Sequence, residues 1–447
     1  VALIAKFDVP LSACALGPPG ERPSPEYLNL VRSVLGPDDT LEPAALDELT
    51  PDRPCDLAFL SPCGPSPAAP VLADRGTPAI CLKTCRAYHP YHAAFYEELS
   101  ARGGTRLPAD LPEDVAASVR AVRARRAMRG MKLIVADPAN DPHRIGRARD
   151  FAACVRDRLG VDILIRDTQE IRERAKTFSD EAADETLARW YENVLAGPGE
   201  MDPTHMRQVA RLYLAERAIL DETGAVGVTP HDIEGFLLAP GRPVMPNVTY
   251  GPLLFDGYLA CEEADIEALV TELLLAAGLG AHPMMSNIYY AFRDRFDALE
   301  SHEDYTPEAM EADARQCFED GRVTVSHFGS PGVLPPGMME EDRYRVRETL
   351  PDWPGQSMIW ATPKLGPVLL ARIDRNAAAL HLVRGQADAL GFGDRYGWHR
   401  GRWFIRLPDA RDFARRALHH HYAIARDGGD TAALETLLFV LLALDRR

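Results

Sequence analysis

Near residue 285 the sequence changes texture, and that change limits the fold more than any other feature. Upstream, short apolar runs alternate with amphipathic stretches and Pro- and Gly-rich connections. Downstream, RVTVSHFGS, GPVLLARID, AALHLVRGQ, RWFIRLP and HHHYAIAR follow one another with turns between them. The first pattern predicts layered α/β units. The second predicts antiparallel strands that close into a barrel or stack as a sandwich. A chain of 447 residues also exceeds what one core holds, so we expect three domains, at residues 1–130, 131–285 and 286–447.

The first block carries buried-strand signals at Leu3 to Phe7, Asp56 to Leu60 and Pro78 to Leu82, and ends in a basic helical run, Val115 to Arg129. Arg120, Arg123, Arg125, Arg126 and Arg129 in that run are expected to form a solvated helix face before a linker. The second block opens with MKLIVADPAN, passes through a helical stretch from Arg147 to Leu159, and reaches VDILIRD, a βαβ pattern. No GxGxxG follows its first strand, so a dinucleotide cofactor has no support. Met206, Val209, Leu212, Tyr213 and Leu220 predict an amphipathic helix over 205–220. The run AVGVT then delivers Pro230, His231 and Asp232 at a strand end, where open α/β sheets place ligands, and Asp232 becomes a candidate substrate contact. A closing helix is expected over Ala432 to Leu444.

The formal net charge of -16 argues against a phosphate-backbone binder, so nucleic acid is not an expected partner. Eight cysteines show no CxxC pair; Cys81 and Cys85 come nearest, and neither a disulfide framework nor a structural zinc site is suggested. No window has the roughly 18–20 apolar residues of a membrane span, and the first residues lack a basic region before a hydrophobic run. The expectation is a cytoplasmic protein without a membrane partner.

The segment ACEEADIEALVTELLLAAG carries the strongest chemical signal. As a helix it puts Ile266, Leu269, Val270, Leu273 and Leu274 on one face, and Glu262, four residues before Ile266, falls on that face in the first turn. Glu263 and Glu267 are expected to point to solvent. An inward carboxylate there gains from the helix dipole and needs a partner such as a cation; an ordinary acidic first turn has the same spelling. If HHHYAIA is a strand, His419 and His421 share one face and His420 the other. That face offers imidazole to a metal, or the run is a surface histidine cluster. His327 lies between an apolar strand and a Gly-Ser-Pro-Gly turn, as a site residue or a satisfied turn residue, and His282 is taken as structural.

In this order the motifs resemble the L-fucose isomerase/L-arabinose isomerase superfamily, from about residue 131 to the end. The family's "CE-D" segment, opening an Ala- and Leu-rich helix, is matched at Cys261 and Glu262; HHHYAIARDGGDTAALETLLFVLL matches its final strand and helix, with His421 as ligand. PMMSNIYY puts Asn287 where the family has a ligand Asp, and VTVSHFGSP puts His327 at its "HC-G" motif. The resemblance implies two Rossmann-like α/β domains followed by a C-terminal, mainly antiparallel β-barrel-like domain. It implies a metal held by Glu262, Asn287 and His421, with Glu262 also the base. It further implies a homo-oligomer, a hexamer or trimer, in which the first block lends residues such as Lys83, Arg86 and His89 to a neighbour's pocket.

Aldose–ketose isomerisation moves a carbon-bound proton through an enediol, and a divalent cation beside acid–base carboxylates suits it. Manganese, or else magnesium, is the expected cofactor, and a carbohydrate or sugar-derived molecule the expected substrate. Asn287 is a neutral donor that cannot take a proton, so Asp265 or Asp232 would compensate, with His327 as proton shuttle and His419 as substrate contact. The alternatives are a lyase or epimerase of specialised metabolism, or a carbohydrate-binding protein without turnover.

Overall fold

In the first block, β1 (Ser12–Gly17), β2 (Thr40–Ala45), β3 (Leu57–Leu60) and β4 (Ala79–Cys81) form a parallel sheet in the order β2-β1-β3-β4. β3 is buried along its whole length, as a strand covered by helices must be. The computed structural model describes residues 2–17, 22–45, 48–50, 54–60, 68–81, 97–102, 104–105, 107, 112–138, 141–197, 199, 201–231, 236–239, 242–244, 247–289, 319–327, 333–348, 357–388, 403–428 and 434–438.

The helix Pro112–Met128 leads into the second sheet, made of β5 (Lys132–Asp137), β6 (Asp162–Asp167) and β7 (Gly227–Pro230). A short hairpin, β8 (Phe236–Ala239) with β9 (Arg242–Val244), precedes β10 (Leu259–Ala260). The order is β10-β7-β5-β6, all parallel. The chain leaves β5 towards β6 and returns to β5's other side as β7, which opens a crevice at the carboxyl ends of those strands. The helix Pro142–Leu159 starts five residues before the expected Arg147, because Asp141 caps it by accepting from the Arg144 amide.

After β10 comes the helix Ile266–Leu279, whose residues 266 to 276 are all buried. A helix apolar on every side must be surrounded. This one packs between the second sheet, the helix Pro112–Met128 and the barrel that follows. Asp265 caps its start and Gly280, at φ 65°, ends it.

The barrel is closed by β11 (Met284–Tyr289), β12 (Arg322–Ser326), β15 (Gly366–Ile373), β16 (Leu380–Asp388), β17 (Trp403–Arg406) and β18 (His421–Arg426). Its order is β11-β12-β17-β16-β15-β18, and every pair is antiparallel. Between β12 and β15, a separate ladder joins β13 (Arg345–Glu348) and β14 (Ser357–Trp360). Alternation sorts the barrel's side chains: Val368, Leu370, Tyr422 and Ile424 share a core with Trp190 and Tyr213 of the second block. Leu369, Ala371, Ala423 and Ala425 instead cover Leu275 and Leu434. The barrel begins at Met284, inside the expected second domain. Of the expected closing helix, residues 434–438 are described and are helical. Among the described residues no helix is long and apolar enough to cross a membrane.

Candidate metal centre

Where β5, β7 and β10 end, the chain turns through residues 261–265 before the helix Ile266–Leu279 begins. Three bonds pin that turn to β7. The Cys261 amide donates to the Val228 carbonyl at 3.2 Å and the Ala264 amide to that of Pro230 at 2.9 Å. The Thr229 hydroxyl donates to the Glu262 carbonyl at 3.3 Å. Within the turn, Glu263 and Ala264 have φ of 65° and 52°. Left-handed backbone at a non-glycine residue costs roughly 1–3 kcal/mol, and here the ties to β7 hold it. The expected helical continuation through Glu262 is therefore absent: Glu262 precedes the helix, and Glu263 swings inward instead of to solvent. Glu267 is also buried.

The two glutamates meet different partners. Oε1 of Glu262 accepts from Asn247 Nδ2 at 2.6 Å, and its Oε2 contacts Nδ1 of His327. Asn247 in turn accepts from the Ile359 amide at 3.0 Å, so the buried carboxylate is anchored through β14. Glu263 lies 3.3 Å from Nε2 of His327 and 3.5 Å from Nε2 of His421. Nδ1 of His421 bonds Oδ2 of Asp265 at 2.7 Å. An ionised carboxylate only accepts, so Asp265 places a proton on Nδ1 of His421 and directs Nε2 towards Glu263. Each imidazole thus has one nitrogen on a supporting carboxylate and the other facing Glu263, the arrangement that orients metal-binding histidines.

Asp265 does more than cap a helix. Both its oxygens accept from Nη1 of Arg372 on β15, at 2.8 and 2.7 Å, while Oδ1 also accepts from the Ala268 amide at 2.9 Å. One carboxylate therefore joins the helix start, β15 and β18.

The electrostatics follow from this packing. Burial pushes the Glu263 carboxyl upward, but His327, then His421 and His420, outweigh it and hold the group down to about 2. Burial opposes charge on His327, yet Glu262 and Glu263 hold the imidazole well above its ordinary value. Asp265 is pulled well below the carboxylate range against its own burial, by Arg372 and His421. The two glutamates thus favour the charged form of His327 between them.

A cavity of about 200 Å³ opens beside it, lined among others by Asp137, Arg144, Arg147, Glu263, His419 and His420. Arg144 donates from Nε to Asp137 at 2.8 Å and from Nη2 to the Glu263 carbonyl at 3.2 Å, which braces the strained turn. His419 and His420 precede β18 instead of belonging to it, because pairing with β11 begins at His421 opposite Asn287. The expected alternation of the three histidines therefore does not hold: all three line the cavity, with His420 and His421 rings 4.1 Å apart. Burial, then the Arg372 charge, lowers His419 to about 4.

Among the sequence candidates, Asp265, His327 and His421 gather with Glu263, and Glu262 supports them from behind. Asn287 is half-buried in β11, paired across the sheet with His421 on one side and Ser326 on the other. Asp232, Lys83, Arg86 and His89 lie outside the described residues. Asn247, Arg144 and Arg372 are not among the sequence candidates, and Glu263 is expected there at the solvent face. Only Glu263 carried a signal, since CEEAD offers two glutamates for a "CE-D" pattern.

The donor set fits a divalent transition ion. One ligand atom from each of Glu263, His327 and His421 lies within 4.8 Å of the others. Two imidazoles and a carboxylate, with supporting carboxylates already in place, form a recurrent metal-binding triad. His419, His420 and His421 meet the same distance criterion and share His421 with it.

No protein-family model matches the chain, and no curated protein matches it. Among solved structures it is similar to one described as a two-component system response regulator/GGDEF domain protein, at 15% identity and a TM-score of 0.25, covering 56% of this chain and 92% of that one.

Proposed function

We propose that the chain is a metal-dependent aldose–ketose isomerase of L-fucose isomerase-like fold, or a closely related carbohydrate-converting enzyme, with its ion held by Glu263, His327 and His421. One observation carries this reading: two imidazoles, one just after β12 and one in β18, each supported by its own carboxylate, converge on Glu263 beside a cavity. Two nitrogen donors favour manganese, iron(II) or zinc over magnesium, and we keep manganese as the first ion to test.

When bound, the ion would stabilise negative charge on the substrate's oxygens. The chain's own groups do the rest. Glu263, ionised and facing the cavity, accepts the carbon-bound proton and returns it to the neighbouring carbon, while the substrate's hydroxyl proton passes to its former carbonyl oxygen. Glu262 and Asp265 keep the imidazoles in place. Arg144 holds the Glu263 backbone. His419, kept neutral by burial, lines the same cavity as a substrate hydrogen-bond partner.

A second reading, a lyase or epimerase on a sugar acid, is favoured by Arg147, which lines the cavity and, among the described residues, pairs with Glu267 at 3.8 Å. Incubation of the manganese-loaded chain in deuterium oxide with a panel of aldoses, ketoses and sugar acids separates the two. Deuterium at C1 or C2 with aldose–ketose interconversion supports the isomerase. Water loss or inversion from a sugar acid supports the second reading, and no exchange with any member sinks both.

A further inference from the structure

Three guanidinium groups line the cavity beside the metal centre, and their partners set them apart. Arg144 donates to Asp137 at 2.8 Å and to the Glu263 carbonyl at 3.2 Å. Arg372 gives Nη1 to both oxygens of Asp265, at 2.8 and 2.7 Å. Arg147 lies three residues after Arg144 on the helix Pro142–Leu159, hence on the same face. Its Nη2 stands 3.8 Å from Oε1 of Glu267, beyond hydrogen-bond length, and it donates no hydrogen bond among the described residues.

Glu267 shows how Arg147 is held there without being satisfied. Its other oxygen, Oε2, stands 3.8 Å from Nη2 of Arg372, so this carboxylate lies between two cations and closes on neither. The side chain of Arg147 is 52% exposed, against 6% for Arg372. A solvated arginine on a helix has the same exposure, but this one lines the cavity that Glu263 faces. Four carboxylates line it as well, and a divalent ion on the Glu263 set would tip the balance of fixed charge to positive, imidazoles aside. An anionic ligand answers that balance and a neutral one does not.

We infer that the substrate is a monosaccharide bearing a carboxylate, a uronic acid for the isomerase, whose acid group pairs with Arg147 while its carbonyl and hydroxyls meet the ion and Glu263. This rests on the metal centre proposed above and names the class of molecule it acts on. A guanidinium fork offers a carboxylate two parallel N–H donors, whereas a sugar hydroxyl answers one of them and none of the charge. The substrate's carboxylate then takes the hydrogen bonds that Glu267 does not. At about 200 Å³ the cavity is smaller than those that take drug-sized ligands, which suits a single sugar unit.

Calorimetric titration of the manganese-loaded full chain tests this, with glucuronate, galacturonate and mannuronate each set against its parent aldose. At least one acid is expected to bind saturably and at least tenfold more tightly than its aldose. Arg147→Ala should abolish that preference. Arg147→Lys should restore part of it, since lysine keeps the charge and loses the fork. Manganese affinity in both variants should stay close to the parent's, because Arg147 is not one of the three ligands. Acids that bind no more tightly than their aldoses, a preference that the folded Arg147→Ala variant keeps, or tighter binding of glucose 6-phosphate than of every uronate overturns the inference. Solvent-deuterium exchange run alongside separates its failure from that of the metal centre. Exchange into neutral aldoses alone overturns the acid and leaves the centre standing, whereas a chain that binds no manganese removes both.

Discussion

Asp265 and His421 stand 156 residues apart in sequence and 2.7 Å apart in space, and the bond between them fastens the second sheet's last turn to the barrel's closing strand. The same carboxylate takes both of its oxygens to Arg372. Such a buried pair adds little net stability compared with an apolar substitute, but losing one member strands the other.

Asp265→Asn keeps the shape and removes the charge. Arg372, almost wholly buried, is then left with Glu267 at 3.8 Å as its ion-pair partner among the described residues. We expect a loss of about 3–5 kcal/mol, seen as a lower urea midpoint with an unchanged denaturant slope. A midpoint within error of the parent would mean that Asp265 does not join the two units.

Glu262 and Glu263 are neighbours with different work, and calorimetry with manganese separates them. Glu263→Gln removes the only carboxylate of the triad and should abolish saturable binding. Glu262→Gln removes the support behind His327 and should leave binding about 10–100-fold weaker. The reverse order would make Glu262 the ligand, as the helical pattern suggests.

That contrast shows what a sequence can and cannot carry. Ile266, Leu269, Val270, Leu273 and Leu274 are legible because a helix repeats, and RVTVSHFGS, GPVLLARID and HHHYAIAR are legible as strands because a strand alternates. Glu263 escapes, because its direction depends on two non-glycine residues held at positive φ by bonds to β7, which no periodicity encodes. Arg372 escapes because nothing in GPVLLARID marks a partner 107 residues away. His419 and His420 do not take the faces that alternation predicts, because the start of β18 is set by pairing with Asn287 and not by the histidine run itself. His327 and His421 could be picked out as candidates, but their Nδ1 partners could not.

Metal binding should release a proton. His327 is held well above its ordinary value by Glu262 and Glu263, so at neutral pH its Nε2 carries a proton that an ion must displace. Apparent affinity for manganese should therefore rise as pH rises towards the folded value of His327 and fall as pH is lowered. Titrations at pH 7 in buffers of different ionisation enthalpy should show about one proton released per ion. A pH-independent affinity would place the ion away from His327.

Glu272 offers a test in which the site's chemistry is spectator. It lies on the helix Ile266–Leu279, fully buried, and neither carboxyl oxygen has a hydrogen-bond partner among the described residues. Burial, and then the charge of Asp265, push its carboxyl well above the ordinary value. Because the folded value is the raised one, Glu272 imposes no titration penalty below the unfolded value of about 4.3. The penalty accumulates as pH climbs from there towards the folded value. Glu272→Leu should therefore stabilise the chain at pH 7, by about 1–3 kcal/mol, and the advantage should shrink by about pH 4, where both states of the parent are largely protonated. Paired urea titrations at the two pH values measure this difference. An equal gain at both would show that packing, and not the buried acid, separates the variant from its parent.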